Sequence, residues 1–251
     1  MSNERLRASV VSAGLTVQSL SEQIGVDRKT VERWITQDRI PHRTHRAAVA
    51  RALAKDDVYL WPATDSDPRA RSASEAEFVA IHPNRGSIPI SSWMSLLDSA
   101  TVSIDLLAFA ESFLHDALPD FDGRLAVKAR QGVQVRLLFG DPDSDAVRLR
   151  GEEEGIGDLL AARCRLTWSY LKPLLQEPGV LARMHGSTLY NSIFRFDDTL
   201  LANSHMFGAP ASQSPLVHVQ RIPGGRLFTN YLLGFERTWD QAHEVRVACS
   251  A

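Results

Sequence analysis

Hydrophobic positions in the first forty residues recur at helical spacing and are separated by residues that favour helix ends. Leu6 and Val10 begin one stripe, and a second stripe runs between Thr16 and Gly25. Thr16 and Asp27 carry side-chain oxygens that accept hydrogen bonds from the first free N–H groups of a helix, and Gly25 is suited to end one. The pattern therefore predicts three short helices in this region.

The third predicted helix has two chemically different faces. Successive residues lie 100° apart around a helix axis, which places Val31, Trp34 and Ile35 together on an apolar face. The opposite face is mostly cationic and carries the remaining residues of the segment: Arg28, Lys29, Glu32, Arg33 and Thr36. Because Trp34 shares the apolar face, we expect it to pack in a core and not to stack on a ligand. Two helices joined by a tight turn, the second with a cationic ridge, are typical of a helix-turn-helix.

The segment L-S-E-Q-I-G-V-D-R-K-T-V-E-R-W-I resembles the helix-turn-helix of bacterial transcription regulators related to phage repressors and Cro, the XRE type. The continuation D-R-I-P-H-R-T-H-R-A-A-V-A-R-A-L and the closing Y-L-W-P are similar to one group of these regulators from high-GC actinobacteria. The resemblance covers residues 1–62 and implies binding to an operator in double-stranded DNA.

The geometry of a helix-turn-helix indicates which side chains meet DNA, because its second helix presents N-terminal residues to the major groove. We expect six residues to contact DNA: Arg28, Lys29, Thr30, Arg33, Arg39 and Arg43. Arg28 or Arg33 is suited to fork onto a guanine edge, whereas Lys29 is suited to a phosphate. The basic residues around Pro41 either contact phosphates or form a solvated basic loop.

Charge is distributed unevenly along the chain. Residues 1–55 contain ten Lys and Arg against five Asp and Glu, a net charge of +5. The whole chain carries −2, so the remaining residues carry −7. The split favours a basic module that meets a polyanion, attached to an acidic body that does not, although a solvated charged surface produces the same excess.

The overall composition is that of an ordinary globular chain. With 251 residues, 44% hydrophobic and 23% charged, the chain is neither disordered nor collagen-like nor a coiled coil. We expect a cytoplasmic, nucleoid-associated protein with no membrane partner, because no apolar stretch is long enough to span a bilayer or to serve as a signal core. Cys164 and Cys249 lack metal-binding spacing, so we expect both to be packing residues. We expect no cofactor and no metal site.

Residues 62–77 are poor in large apolar side chains and rich in Pro, Ser, Asp and Ala, which predicts a linker. The predicted fold class is therefore an all-α domain at residues 1–61 followed by an α/β domain at residues 78–251. In the second domain strand-like and helix-like stretches alternate, which predicts a mixed sheet with helices on both faces. No glycine-rich fingerprint follows a strand, which disfavours a dinucleotide-binding Rossmann domain.

Polar residues cluster on a predicted β-hairpin late in the chain. A two-residue turn at Asp197 and Asp198 sets these residues opposite one another: Tyr190 and His205, Ser192 and Asn203, Phe194 and Leu201. Polar side chains on otherwise buried strands cost stability unless they bond to each other, to water or to a ligand. We expect a small-molecule pocket, with an internally satisfied polar network as the alternative. Its candidate ligand-binding residues are His185, Tyr190, Ser192, Arg195, Asn203 and His205.

The same segment, R-M-H-G-S-T-L-Y-N-S-I-F-R-F-D-D-T-L-L-A-N-S-H, with the strand order and the final helix, resembles one half of a phospholipase-D superfamily domain. In that superfamily a His-x-Lys element supplies a histidine nucleophile and a lysine that neutralises phosphate charge. His185 matches the histidine, but Ser187 stands at the lysine position and Asp197 lies too far downstream for the usual acid. The departures imply a degenerate domain with no catalytic residues, so we expect binding and not enzymatic activity.

These patterns together predict a one-component transcription regulator. Its helix-turn-helix reads an operator, and its phospholipase-D-like domain senses a small molecule. Arginines around the expected pocket favour a phosphorylated or carboxylated metabolite: Arg136, Arg148, Arg150, Arg183 and Arg195. Acids at strand ends are equally suited to sugar hydroxyls: Asp105, Glu111 and Asp141.

We also expect a homodimer, because one short recognition helix discriminates weakly and two half-sites roughly double the contact energy. Two alternatives stay open. One is a DNA-targeted phosphodiesterase or nuclease that uses His185. The other is a constitutive DNA-binding dimer with no ligand.

Overall fold

The structure is a computed structural model and describes residues 2–62 and 68–245. The chain forms two compact units, residues 1–73 and residues 74–251. The boundary lies inside the segment predicted to be a linker, but that segment is not irregular throughout, because Pro68–Glu77 is a helix. Its alanines, arginines and glutamates are good helix formers, which outweighs the absence of large apolar side chains.

Residues 2–62 form five α-helices: α1 Glu4–Ser12, α2 Val17–Ile24, α3 Arg28–Thr36, α4 Arg43–Ala52 and α5 Asp57–Leu60. Thr16 caps α2 as predicted, since its Oγ1 accepts a hydrogen bond from the Ser19 N–H at 3.0 Å. Asp27 caps α3 by accepting from the Lys29 N–H at 2.7 Å. Gly25 ends α2 with φ 70°, a left-handed conformation that glycine adopts without steric cost. These predicted helix ends are confirmed.

Each of the five helices contributes buried side chains to one core of the N-terminal unit. Leu6, Leu20 and Val49 are fully buried within it. Trp34 is 4% exposed, and its ring centroid lies 6.4 Å from that of Trp61 in an edge-on arrangement. The prediction that Trp34 packs in a core is confirmed.

The C-terminal unit begins within α6, Pro68–Glu77. Its strands are β1 Phe78–His82, β2 Ser103–Ala108, β3 Gln134–Gly140, β4 Val180–His185, β5 Asn191–Phe196, β6 Thr199–Ser204, β7 Leu216–Gln220 and β8 His243–Glu244. Its further helices are α7 Ile90–Ser99, α8 Ser112–Ala117, α9 Phe121–Arg130, α10 Asp145–Glu153, α11 Leu159–Leu171 and α12 Leu227–Gln241.

In the described part of the chain, the eight strands form one sheet in the order β1-β7-β6-β5-β2-β3-β4-β8. β2, β3 and β4 are parallel, and every other neighbouring pair is antiparallel. One face packs a core that includes Trp93 of α7 and Phe194 of β5. The other face packs a core that includes Phe228, Phe235 and Trp239 of α12. The predicted mixed sheet with helices on both faces is confirmed.

The predicted hairpin is present with the predicted register. β5 and β6 pair Ser192 with Asn203 and Phe194 with Leu201. Asp197 is the first residue of the turn and has a φ of 51°, and two-residue hairpin turns favour a positive φ at this position. Because the side-chain period of a strand is two residues, this register places the paired residues Ser192 and Asn203 on the same face of the hairpin.

The Asp197 carboxylate binds the chain just before β2. It accepts hydrogen bonds from the N–H groups of Thr101, Val102 and Ser103, each at 2.8 Å. Partial burial raises the pKa of Asp197, but these backbone hydrogen bonds outweigh it and lower the pKa below the ordinary value. Asp197 therefore fixes the turn to the neighbouring strand and does not act as an acid in the pocket.

The N-terminus of α12 is capped from a distant part of the sequence. Glu77 is fully buried, and its Oε2 accepts from the Leu227 N–H at 2.6 Å and from the Phe228 N–H at 3.3 Å. A carboxylate at this end of a helix satisfies free N–H groups and complements the helix dipole. The end of the segment predicted as a linker thus belongs structurally to the α/β body.

Cys164 is buried and its Sγ lies 3.2 Å from the Phe109 carbonyl oxygen, which confirms its prediction as a packing residue. Cys249 lies outside the described residues. Among the helices of residues 2–62 and 68–245, none combines the length and the apolar composition needed to cross a bilayer.

Candidate functional site

The exposed face of α3 carries most of the residues expected to contact DNA. Arg28, Lys29 and Arg33 are exposed, and Thr30 is half-buried. Arg28 Nε lies 2.8 Å from Glu32 Oε1, an exposed ion pair one helical turn apart, which is weak enough for a phosphate or base to replace. The structure therefore brings these four predicted residues together on one short helix.

Arg39 and Arg43 lie after α3 and are both exposed. Arg39 is in the irregular stretch before α4, whereas Arg43 is the first residue of that helix. The basic region is therefore not one loop, because the alanine-rich sequence of residues 47–52 favours helix.

The ends of five strands converge at one edge of the sheet. β2, β3 and β4 finish there at Ala108, Gly140 and His185, which are neighbours in the parallel register. The antiparallel strands β5 and β6 bring the start of one and the end of the other to the same edge. Carboxyl ends of strands in open α/β sheets are the usual place for a ligand site.

Ser192 and His205 form a hydrogen-bonded pair at this edge. The Ser192 Oγ lies 2.9 Å from His205 Nε2, and His205 Nδ1 lies 3.3 Å from the Leu189 carbonyl oxygen. Since a carbonyl accepts only, Nδ1 carries the ring proton and Nε2 accepts from the serine hydroxyl. Burial, followed by the positive charge of Arg150, lowers the pKa of His205 to about 4. The ring is therefore neutral at pH 7.

This pair faces a cavity of about 90 Å³. The residues that line the cavity are Arg85, Ala108, Phe109, Ala110, Ser112, Glu154, Leu160, Arg163, Ser192, His205, Pro210, Ala211 and Ser212. Both expected features are therefore present around His205: its two nitrogens are satisfied internally by Ser192 and Leu189, and a cavity adjoins its ring.

His185 lies beside the cavity but is held by the backbone. It is 1% exposed, and its Nε2 donates to the Ala108 carbonyl oxygen at 3.1 Å. Its Nδ1 is buried without a hydrogen-bond partner in the described residues. Burial lowers the pKa of His185, although the Ala108 carbonyl raises it in part. The ring contacts Phe109, which lines the cavity, with ring centroids 5.6 Å apart.

Two other predicted ligand residues on the hairpin do not line the cavity. Asn203 is fully buried and donates to the carbonyl oxygens of Ser214 and Pro215 at 3.1 and 3.2 Å. It therefore fixes the chain between β6 and β7. Tyr190 lies just before β5 and is 81% exposed, so its side chain is on the surface. Both expectations are corrected.

Arg195, which was also predicted as a ligand residue, is not among the residues that line the cavity. Its Nη1 binds Asp105 Oδ2 at 2.6 Å on the α12 face of the sheet. Arg195 and Asp105 are paired in the antiparallel register of β5 and β2. Asp105 lies within β2 and not at its end, so it is likewise unavailable to a ligand.

The other arginines named from the sequence are also occupied. Arg136 binds Asp105 and Glu236. Arg148 pairs with Glu152, and Arg150 is buried with Glu154 at 2.7 Å. Arg183 donates to the Trp239 carbonyl oxygen at 2.8 Å. These side chains therefore contribute to structure, and none of them is among the residues that line the cavity.

The cations that do line the cavity are Arg85 and Arg163, which sequence reasoning missed. Arg85 lies in a short 3-10 helix, Arg85–Ser87, and Arg163 lies on α11. Both are distant in sequence from the hairpin, and neither belongs to a recognisable motif. Their spacing in the sequence does not show that they lie close together, because this depends on the strand order of the sheet.

Glu111, which follows β2, is a buried acid next to this region. It is 3% exposed, its Oε1 accepts from the Leu114 N–H at 3.1 Å, and its Oε2 has no partner in the described residues. Burial raises the pKa of Glu111 to about 7, with Arg85 opposing part of that rise. His115 and Asp122 line a second, much smaller cavity beside it.

We expect Glu111→Gln to stabilise the protein at pH 8 by about 3 kcal/mol at most, with little gain at pH 5. The pKa of Glu111 is raised on folding, so its contribution to stability is full below its ordinary value of 4.5 and is lost as pH rises through about 7. Glutamine keeps the Leu114 hydrogen bond and cannot ionise. Urea unfolding at several pH values measures the difference.

The matched control is Glu152→Gln, which removes an acid at an exposed ion pair on α10. Its unfolding free energy should follow the wild-type pH curve within about 0.5 kcal/mol. Parallel curves for wild type and Glu111→Gln between pH 5 and pH 8 would contradict the burial argument.

No group of three or more His, Cys, Asp or Glu residues in the described ranges is arranged to hold a metal ion.

The sequence matches no protein-family model and no curated protein. Solved structures that resemble the chain include the following three. Nuc from Salmonella typhimurium, a phospholipase D family member, has 19% identity and a TM-score of 0.40, over 67% of this chain and 97% of that chain. TrmBL2, an archaeal chromatin protein described as having a novel mode of DNA binding, has 14% identity and a TM-score of 0.42, over 86% and 69%. NucT from Helicobacter pylori has 10% identity and a TM-score of 0.40, over 62% and 90%.

These matches correct the expectation that the chain is not an enzyme, since they include a phospholipase D family member. The departures at Ser187 and Asp197 do not by themselves exclude catalysis. At identities of 10–19% and TM-scores of 0.40–0.42, no residue role passes from these proteins to this chain.

Proposed function

We propose that this chain is a sequence-specific DNA-binding regulator. In this proposal residues 1–61 are the DNA-binding domain, with α2 and α3 as a helix-turn-helix, and residues 78–251 are a ligand-binding domain. The observation that supports it most is that α3 has one buried apolar face and one exposed basic face. Val31 and Trp34 are buried, whereas Arg28, Lys29 and Arg33 are exposed on the same nine-residue helix.

Two classes of contact follow from this arrangement. The arginines of α3 are suited to bidentate hydrogen bonds with guanine O6 and N7, which carry sequence information. Lys29, as a point charge, is suited to a phosphate, as are Arg39 and Arg43 beyond the helix. The net charge of +5 on residues 1–55 adds attraction to any DNA, independent of sequence.

Arg33→Ala is expected to weaken binding to the specific operator by about 1–3 kcal/mol and to relax base preference at one position. The reason is the loss of a bidentate base contact, which a phosphate contact does not replace. Lys29→Ala is expected to weaken operator and scrambled duplexes equally and to lower the salt slope by about one. Fluorescence anisotropy with both duplexes over a salt series measures these effects.

Arg7→Ala is the matched control for that experiment. Arg7 is a half-exposed arginine on α1 that pairs with Glu4 at 3.2 Å, so its replacement changes charge without touching α3. Equal operator affinities for wild type and Arg33→Ala would contradict the role given to α3.

The cavity at the sheet edge supports a ligand-binding role for the body. It is lined by cationic and hydroxyl groups and by the neutral His205 ring, which suits a small polar or anionic molecule. We propose a homodimer as well, because two recognition helices on two half-sites give the discrimination that one short helix lacks.

A second candidate function is a phosphodiesterase directed at DNA. The contact between Ser192 Oγ and His205 Nε2 at 2.9 Å favours it, since a hydroxyl bonded to a neutral imidazole is the pair that nucleophilic catalysis uses. Two arginines in the same cavity are suited to stabilise phosphoryl charge. This candidate no longer uses His185, whose Nε2 is bonded to the Ala108 carbonyl oxygen.

For that candidate, His205→Ala is expected to reduce hydrolysis of a chromogenic phosphodiester by about 10²–10⁴-fold, as the loss of a general base does. His185→Ala serves as the comparison, because His185 does not line the cavity. Absence of turnover by the wild-type chain at micromolar concentration excludes the candidate and leaves the regulator.

A further inference from the structure

Two arginines face the cavity without a carboxylate partner. The side chains of Arg85 and Arg163 form no hydrogen bond or ion pair with any described residue. The Arg85 guanidinium carbon lies 4.2 Å from the centre of the Phe113 ring, which supports its planar face but satisfies none of its N–H groups. An arginine carries five donors in a fixed fork, so two such side chains leave many donors for a ligand.

Other arginines near Arg85 and Arg163 differ from them, because they form ion pairs. Arg148, Arg150 and Arg165 lie on the adjoining helices α10 and α11, and each pairs with an acid of its own. Local acids therefore form direct ion pairs with the surrounding arginines but not with the two that line the cavity. This contrast is what distinguishes the cavity from a generally basic surface.

Glu154, the acid that lines the cavity, does not neutralise Arg85 or Arg163. Glu154 accepts from Arg150 Nε at 2.7 Å, and both side chains are almost fully buried. His205 is neutral at pH 7 because burial and Arg150 lower its pKa. The two charges that remain on the cavity wall are thus those of Arg85 and Arg163.

We propose that this cavity binds the terminal phosphate of a small phosphomonoester through Arg85 and Arg163, with the hydroxyls of Ser112 and Ser212 as further donors. The inference rests on the ligand-binding part of the proposed function and names the chemical class of that ligand.

Charge balance favours a dianion over a carboxylate. A carboxylate neutralises one guanidinium and leaves the other uncompensated, whereas a phosphomonoester carries close to two negative charges at neutral pH. Its three terminal oxygens accept from two forks at once, as bidentate arginine contacts require. The hydroxyls of Ser112 and Ser212 then supply neutral donors to the remaining lone pairs, since the Ser192 hydroxyl already donates to His205.

Burial disfavours the charged form of Arg85, so a bound anion would stabilise this guanidinium group. Partial loss of water lowers the pKa of Arg85, and the charge of Glu111 only partly compensates. Glu111 has one carboxylate oxygen without a partner and attracts Arg85. The bound anion therefore competes with Glu111 for the same guanidinium group.

The experiment measures sulfate binding to the full chain by calorimetry at pH 8, with sulfate as a dianion that does not titrate. We expect one site per chain. Arg85→Gln and Arg163→Gln should each weaken it by about tenfold or more, as the loss of a charge-assisted contact does. Glu111→Gln should tighten it several-fold, since a competing charge is removed.

Arg148→Gln is the matched control, because this arginine is exposed, paired and outside the cavity. Its sulfate affinity should equal that of wild type. Sulfate affinities of Arg85→Gln and Arg163→Gln within twofold of wild type would overturn the proposal. So would acetate binding as strong as sulfate binding.

Competition distinguishes the source of the phosphate. Glycerol phosphate should displace sulfate, whereas glycerol and a single-stranded oligonucleotide without terminal phosphate should not. Displacement by the oligonucleotide alone would overturn the small-molecule assignment in favour of nucleic acid. DNA affinity of the same preparations, measured separately, reports on the regulator proposal. If the wild-type chain binds operator but not sulfate, only this inference is refuted; if it binds sulfate but not operator, only the DNA-binding proposal is refuted.

Discussion

Asp105→Ala is expected to destabilise the α/β body by about 3–5 kcal/mol. Asp105 is fully buried in β2 and holds two arginines. Arg136 Nε and Nη2 donate to its two carboxylate oxygens at 2.7 and 3.0 Å, and Arg195 Nη1 donates at 2.6 Å. Arg136 also forms a forked pair with Glu236 of α12, both contacts at 2.8 Å. The four charges balance.

Removal of one member leaves the others buried and uncompensated. Without Asp105, Arg195 has no acid among the described residues, and Arg136 keeps only the partly exposed Glu236. The Arg136 guanidinium lies 4.6 Å from the Phe235 ring centre, so α12 packs directly on the network. Breaking a buried pair costs several kcal/mol mainly because of the charge that is left behind.

Urea unfolding of the full chain, followed by circular dichroism, measures this cost. Asp145→Ala is the matched control, because Asp145 is almost fully exposed and meets Arg148 at 3.4 Å. Its effect should stay within about 0.5 kcal/mol. If Asp105→Ala were as mild as this control, the network would not hold β2, β3, β5 and α12 together.

Trp34→Ala is expected to destabilise the N-terminal unit by about 3–5 kcal/mol. Trp34 belongs to α3 and is 4% exposed, and its ring meets those of Trp61 and His45 at 6.4 and 6.0 Å between centroids. The substitution removes a large apolar surface and leaves a cavity that a small helical unit does not refill. Because α3 is the proposed DNA reader, operator binding should be lost with the fold.

The measurement is thermal unfolding of the N-terminal unit within the full chain, with operator affinity in parallel. Val11→Ala provides the control, since Val11 is 72% exposed on α1. It should leave both quantities close to wild type. Normal stability with lost DNA binding in Trp34→Ala would show instead that this ring contacts DNA.

Local patterns predicted the elements well because short-range chemistry determines them. Thr16, Gly25 and Asp27 fix helix ends through hydrogen bonds and backbone conformation that involve only near neighbours. The hairpin register followed from the position of Asp197 and the two-residue period of strands. Predictions of this kind need no knowledge of the rest of the fold.

The cavity that we propose as a ligand site was harder to predict, because it joins parts of the chain that are far apart in sequence. Ser192 and His205 were predicted to lie together and both line the cavity, since both belong to one hairpin. Arg195 was misplaced, because an alternating strand turns it to the opposite face, toward Asp105. Arg85 and Arg163 were missed, because only the strand order brings their segments to the hairpin.

Selection of duplexes from a random DNA pool by the wild-type chain tests most directly whether the protein reads DNA sequence. We expect enrichment of one common sequence, with two half-sites about one helical turn apart for the proposed dimer. Its affinity should exceed that of a scrambled duplex by about 10³-fold or more at physiological salt. No enrichment, with equal affinity for every duplex, would contradict sequence-specific DNA binding by α3.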